Sequence, residues 1–187
     1  MNIHQNGYWT GLEAEKYHIF DAKLARALVC FLMREKCITV GDFGCGMGEY
    51  VKAFKDAGIY AIGYDGNPST PTLTNRQCLV LDLSIPNKLN PSFDWILSLE
   101  VGEHIPPEFE DIFLANLHAN NKRGIILSWA LEGQGGDGHV NERSNEYIKS
   151  KIMSMGYTND IDSEIVLRSE ASLHWFQKTI MVFRRRI

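Results

Sequence analysis

Short apolar runs alternate with amphipathic stretches along most of this chain, and turn-forming residues separate them. Runs at about 38–43, 60–64, 78–81 and 94–99 read as buried strands, because they are short, continuous and bounded by turn formers. Gly124 to Trp129 reads as a fifth. Tyr50 to Ala57 has helical spacing, as does Phe109 to Ala119, where Phe109, Ile112, Phe113 and Leu117 share a stripe. Leu12 to Glu35 reads as one helical region, with Leu24, Leu28, Phe31 and Leu32 on one face. Pro68 and Pro71 keep any helix after Asp65 short, and Asn145 to Met155 reads as a further helix. The closing runs Asp162 to Leu167 and Thr179 to Phe183 read as an antiparallel strand pair. Strands alternating with helices predict a doubly wound α/β sheet with a largely parallel core.

Composition narrows the class. A chain of 187 residues fits one domain, and 44% hydrophobic with 22% charged residues is ordinary for a water-soluble globular protein. The apolar run Ala27 to Met33 is too short to span a bilayer, and the first residues lack the pattern of a signal peptide. Cys30, Cys37, Cys45 and Cys78 form no C-x-x-C pair, and three of them fall inside apparent helices or strands, as buried free thiols do. A reducing, cytoplasmic setting is therefore expected. The net charge of −4 offers no footprint for a nucleic acid, and Arg184-Arg185-Arg186 reads as a solvated end to the last strand.

Candidate chemistry begins where the first strand ends. Val40-Gly41-Asp42-Phe43-Gly44-Cys45-Gly46-Met47-Gly48-Glu49 reads D-x-G-x-G-x-G at a strand-to-helix turn. Glycines there let the backbone approach a ligand closely. A dinucleotide turn takes G-x-G-x-x-G, but Glu49 stands where its third glycine belongs, which disfavours an NAD-dependent oxidoreductase. An amino-acid tail joined to a nucleoside suits a loop that closes on Gly48. The second run ends on Asp65-Gly66, where a carboxylate can accept from both hydroxyls of a ribose diol. The third ends on Asp82-Leu83, where an acceptor can take the exocyclic amine of adenine.

Glycine turn, ribose acid and adenine acid in this order resemble the class I S-adenosylmethionine-dependent methyltransferases, over roughly Gly7 to the C-terminus. The resemblance implies S-adenosyl-L-methionine as cofactor. It also implies a three-layer, doubly wound Rossmann-like sheet of seven strands, mostly parallel with an antiparallel last strand. The cofactor set is then Asp42, Gly44, Cys45, Gly46, Gly48, Asp65, Gly66, Asp82, Leu83, Leu99 and Glu100. Residues 1–187 are expected to form one methyltransferase domain, with 1–36 as an N-terminal helical lid region and 37–187 as catalytic core. Tyr8-Trp9 and Tyr17-His18 are candidates for a lid over the methionine moiety, or for core aromatics.

Glu100-Val101-Gly102-Glu103-His104-Ile105-Pro106 leaves the tip of the fourth strand. This E-V-x-E-H-x-P segment resembles that of the ubiquinone-type O-methyltransferases. On a helical turn Glu100, Glu103 and His104 share one face, a set able to hold a divalent metal. The motif does so in the ubiquinone-type enzymes and in small-RNA 2′-O-methyltransferases, yet it recurs in relatives without metal. Metal-free chemistry is the expectation, with Glu103 and His104 as catalytic candidates. A glycine-rich loop, Glu132-Gly133-Gln134-Gly135-Gly136-Asp137-Gly138, follows the fifth strand, and loops at sheet tips commonly carry function. His139 after it is a third catalytic candidate, as general base or as completion of a metal shell. Trp129, Asn141, Arg143 and Tyr147 are candidate acceptor contacts. The activity implied is methyl transfer to an oxygen or nitrogen of a small-molecule acceptor. Alternatives are a protein or RNA acceptor, or a non-catalytic S-adenosylmethionine-binding module for a partner protein. Ionisable groups clustered at the sheet tips favour the enzyme.

Overall fold

The computed structural model describes residues 2–186. Strands β1 (Asn2–Ile3) and β2 (Trp9–Thr10) form a small antiparallel hairpin, and a 3-10 helix over Leu12–Tyr17 precedes α1 (Ala22–Arg34). Then come β3 (Thr39–Phe43), α2 (Glu49–Asp56), β4 (Tyr60–Asp65), the short α3 (Thr70–Leu73) and β5 (Cys78–Val80). The second half is β6 (Phe93–Ser98), α4 (Glu110–Ala119), β7 (Asn121–Leu127), α5 (Asn145–Ser154), β8 (Tyr157–Asn159), α6 (Ile161–Glu170), α7 (Phe176–Thr179) and β9 (Met181–Arg185). The main sheet has seven strands in the order β5-β4-β3-β6-β7-β9-β8. Neighbours from β5 to β7 are parallel, and β9 runs antiparallel to both β7 and β8.

Both faces of the sheet are covered, which is why its strands read as unbroken apolar runs. Leu28 and Phe31 of α1 and Phe54 of α2 pack with Val40, Trp95 and Leu97 on one face. Phe113 of α4 and Ile148 of α5 pack with Phe43, Ile96 and Ile125 on the other. After β3 the chain builds outward to β5, then returns to β6 and builds the other way. That reversal leaves a crevice at the strand carboxyl ends, where such folds hold ligands.

Three expectations are corrected. The closing run around Asp162 to Leu167 is helix, not strand. Asp160 caps it by accepting from Ser163 N–H at 3.1 Å, and Ile165 and Val166 lie exposed on its outer side. The antiparallel partner of β9 is Tyr157–Asn159 instead. The helical region over Leu12–Glu35 is two pieces, because Asp21 ends the extended stretch after His18 and accepts from Lys23 and Leu24 N–H at 3.1 and 3.0 Å. The break leaves Tyr17 and His18 free to face the crevice. Cys30 is exposed, lying off the buried stripe of α1, while Cys37, Cys45 and Cys78 are buried; all four are free thiols. Among the described residues no helix is long and apolar enough to cross a membrane.

Candidate active site

The carboxyl ends of the central strands, the N-terminal hairpin and the glycine-rich loop enclose a cavity of about 370 Å³. That is within the range of small-molecule sites, about 300–1,000 Å³. Of the expected cofactor set, Gly44, Asp65-Gly66, Asp82-Leu83 and Leu99-Glu100 line it, together with His104 and His139. The two aromatic pairs Tyr8-Trp9 and Tyr17-His18 line it from the N-terminal side.

The turn after β3 explains its glycines. Gly44, Gly46 and Gly48 have φ of 87°, 51° and 72°, in the region that side chains disfavour. Space forbids side chains as well: a Cβ on Gly46 would lie 2.6 Å from His18 Nδ1, and one on Gly48 2.9 Å from Cys78 Sγ. Asp42, Cys45, Gly46 and Gly48 do not line the cavity. Asp42 is buried, one carboxylate oxygen has no partner, and burial pushes its carboxyl well above the usual range.

The strand-tip acids are held by backbone and side-chain donors. Asp65 accepts from Gly46 N–H at 3.0 Å and from Asn67 N–H at 2.9 Å, one bond to each oxygen. Each oxygen retains a further acceptor site. Asp82 Oδ1 accepts from the Ser84 amide at 2.9 Å and hydroxyl at 2.6 Å, while Oδ2 accepts from Asn6 Nδ2 at 2.7 Å. Glu100 sits at φ 52°, a strained angle for a non-glycine residue. Its N–H donates to Ser128 Oγ at 2.8 Å, and its carboxylate accepts from Gln134 Nε2 at 3.0 Å.

A 3-10 turn, Gly102–His104, sets the second half of the site. Glu103 is fully buried and neither carboxyl oxygen has a partner. Burial, followed by the Glu100 carboxylate, pushes the Glu103 carboxyl well above the usual range. His104 Nδ1 lies 3.2 Å from Gly138 O. A carbonyl only accepts, so Nδ1 carries the proton and Nε2 keeps its lone pair. Burial, reinforced by His139, lowers the His104 pKa to about 4, leaving the ring neutral. His139 Nδ1 lies 2.9 Å from Glu142 Oε1, which fixes the same tautomer, and the two imidazoles meet edge to face at 4.9 Å between centroids.

One ligand atom each of Glu103, His104 and His139 lies within 4.8 Å of the others. Glu100, whose carboxylate also accepts from Gln134 and Thr179, lies beside this cluster, its charge acting on the Glu103 carboxyl. The unpartnered carboxyl of Glu103 and two imidazoles, each held through Nδ1, are a donor set that fits a divalent cation.

Trp129, Asn141, Arg143 and Tyr147 are corrected: none lines the cavity. Trp129 is fully buried beneath Gly102, its ring filling the space a Cβ there would take, and Nε1 donates to Asn141 O at 2.6 Å. The other three converge on the buried Glu110, with Asn141 Nδ2 at 3.1 Å, Arg143 Nε at 3.0 Å and Tyr147 Oη at 2.7 Å. Against the upward push of burial, those bonds hold the Glu110 carboxyl below its usual range. Asn6, Glu142, Gln134 and Trp175 were not foreseen. Asn6-Gly7 is a turn dipeptide that signals the hairpin, and the spacing of His139 to Glu142 was open to notice. Nothing local marks Gln134 or Trp175.

No protein-family model matches the chain. It is 29% identical over 132 residues to the Mus musculus tRNA (carboxymethyluridine(34)-5-O)-methyltransferase ALKBH8, an alignment covering 66% of this chain and 19% of that protein. The chain thus spans about a fifth of the length of the curated relative it matches. Among solved structures, the magnesium protoporphyrin IX methyltransferase of Synechocystis PCC 6803 with bound SAH superposes with a TM-score of 0.68 at 17% identity, covering 87% of this chain and 82% of that one. The methyltransferase domain of a bacterial Hen1 protein gives 0.63 at 17% identity, covering 88% and 98%. The glycopeptide N-methyltransferase MtfA with bound S-adenosylmethionine gives 0.63 at 11%, covering 91% and 97%. At such identities these likenesses establish the fold: this chain has the Rossmann-like sheet of the class I methyltransferases.

Proposed function

We propose that the protein is an S-adenosylmethionine-dependent methyltransferase acting on an oxygen or nitrogen of a small-molecule acceptor. The observation that carries this reading is a single cavity shared by the glycine turn, the strand-tip acids and the two histidines. When bound, S-adenosylmethionine supplies a methyl group already activated by its sulfonium charge. The chain's part is to hold, align and exclude water. Asp65 accepts from the ribose hydroxyls, Asp82 from the adenine amine, and the turn at Gly44 admits the backbone close to the ligand. Within the expected lid region 1–36, the hairpin and the Tyr17-His18 pair cover the cavity, while α1 packs into the core beside the sheet. The resemblance of Glu100 to Pro106 to the ubiquinone-type O-methyltransferases supports the same assignment.

His139 is the better-placed base for a hydroxyl acceptor. Its Nδ1 is held by Glu142, whereas His104, with a pKa of about 4, binds a proton too weakly near neutrality. Glu103 and His104 shape the acceptor side. A divalent cation held by Glu103, His104 and His139 would supply Lewis-acid polarisation of an acceptor oxygen. The free cysteines support a cytoplasmic location. A tRNA acceptor is the second reading, favoured by the printed activity of the mouse relative and opposed by the net charge of −4. Calorimetric titration is expected to show binding of S-adenosylmethionine and S-adenosylhomocysteine but not of NAD. Labelled-methyl incorporation into a metabolite extract, and separately into tRNA, then identifies the acceptor class. Binding of NAD alone would defeat the assignment.

A further inference from the structure

Glu142 is bonded unlike an ordinary surface acid. Its Oε2 accepts from Gly133 N–H at 2.7 Å, and its Oε1 accepts from Gly135 N–H at 2.7 Å and from His139 Nδ1–H at 2.9 Å. One side chain thereby gathers both ends of the segment Gly133 to His139. Gly136 completes the arrangement, since the His139 ring fills the space that a Cβ on Gly136 would need. Gln134, lying between the two clamped amides, donates to the Glu100 carboxylate. Gly135, Gly136 and His139 all line the cavity, so the clamp builds one of its walls. A loop with this glycine content would otherwise be mobile.

We propose that Glu142 is a positioning residue, which closes the glycine-rich loop and fixes His139 as the Nδ1–H tautomer so that Nε2 presents its lone pair to the site. The catalytic consequence rests on the methyl-transfer reading; the tautomer does not. A carboxylate can only accept, so the proton must sit on Nδ1. Partners of this kind set the orientation and tautomer of working histidines, whether the free nitrogen acts as base or as ligand.

The test compares wild type, Glu142→Ala, Glu142→Gln and His139→Ala. Long-range nitrogen–proton NMR of the cofactor-free protein reads the His139 tautomer directly. Wild type is expected to show Nδ1–H, and Glu142→Ala to lose it in favour of the Nε2–H form that free imidazole prefers in water. Glu142→Gln retains one acceptor oxygen and is expected to keep Nδ1–H in part, with partial recovery of rate. In turnover, Glu142→Ala should lower kcat by about 100- to 10,000-fold, as loss of a general base does, with S-adenosylhomocysteine affinity within about threefold of wild type. The Glu142→Ala/His139→Ala double variant should be no slower than His139→Ala alone, because the two residues act as a unit. An unchanged tautomer in Glu142→Ala, losses that multiply in the double variant, or a Gln variant no better than Ala would each overturn the proposal. If wild type transfers no methyl group, the functional assignment fails while the tautomer comparison still decides the role of Glu142.

Discussion

Asp65→Ala is the sharpest perturbation of the cofactor half. In the folded chain this carboxylate already accepts from Gly46 and Asn67 N–H, at 3.0 and 2.9 Å, before any ligand arrives. The variant therefore has two separable costs. Two charge-assisted bonds to a ribose diol are worth about 1.5–3 kcal/mol each, so their loss should weaken cofactor binding by roughly 100-fold or more. Releasing the two internal amides should lower stability by about 1–3 kcal/mol, a shift of several degrees in thermal midpoint for a chain of this size. Calorimetry with S-adenosylhomocysteine reads the first cost, and thermal unfolding of the ligand-free protein reads the second. A folded variant with wild-type affinity would refute the ribose assignment. A fallen midpoint with unchanged affinity would reduce Asp65 to a brace for the glycine turn.

Exhaustive chelation with EDTA is expected to leave turnover intact; loss restored by a divalent cation would recast Glu103, His104 and His139 as a metal shell. His104 predicts an acid-side stability slope. Its folded pKa of about 4 lies below the ordinary value of 6.5, so stability is full above about pH 6.5 and declines until the folded ring itself protonates near pH 4. The whole effect is about 3 kcal/mol. The lowered carboxyls of Asp21, Glu35, Glu110 and Asp160 act in the same direction at more acid pH. Glu103, raised by burial, acts oppositely, losing its contribution as pH climbs through its folded pKa. On raising the pH from 4.5 to 7.5 the urea midpoint should therefore rise less, or fall further, in His104→Asn than in wild type, and equal changes would contradict the assignment. Tyr147→Phe removes the 2.7 Å bond to Glu110 and should cost about 1–2 kcal/mol in urea unfolding without changing the acceptor KM. A raised KM at unchanged stability would return Tyr147 to the substrate site.

Local rules made much of this protein legible from its sequence. Strands buried on both faces show as apolar runs, and a turn that needs positive φ at Gly44, Gly46 and Gly48 shows as glycine. The acids Asp65 and Asp82 showed because each stands at the tip of its strand. The run after Asp160 misled for a local reason too, since Ile165 and Val166 favour strands until an aspartate caps them into a helix. Tertiary structure alone decided which polar groups share a space. Trp129, Asn141, Arg143 and Tyr147 sit beside the site in sequence, yet the buried Glu110, at least 31 residues away from the Asn141 it binds, draws three of them off the cavity. Asn6 reaches Asp82 across 76 residues, and His104 reaches Gly138 across 34. Such pairings depend on sheet order and loop closure, and propensities that act over a few residues carry no record of them.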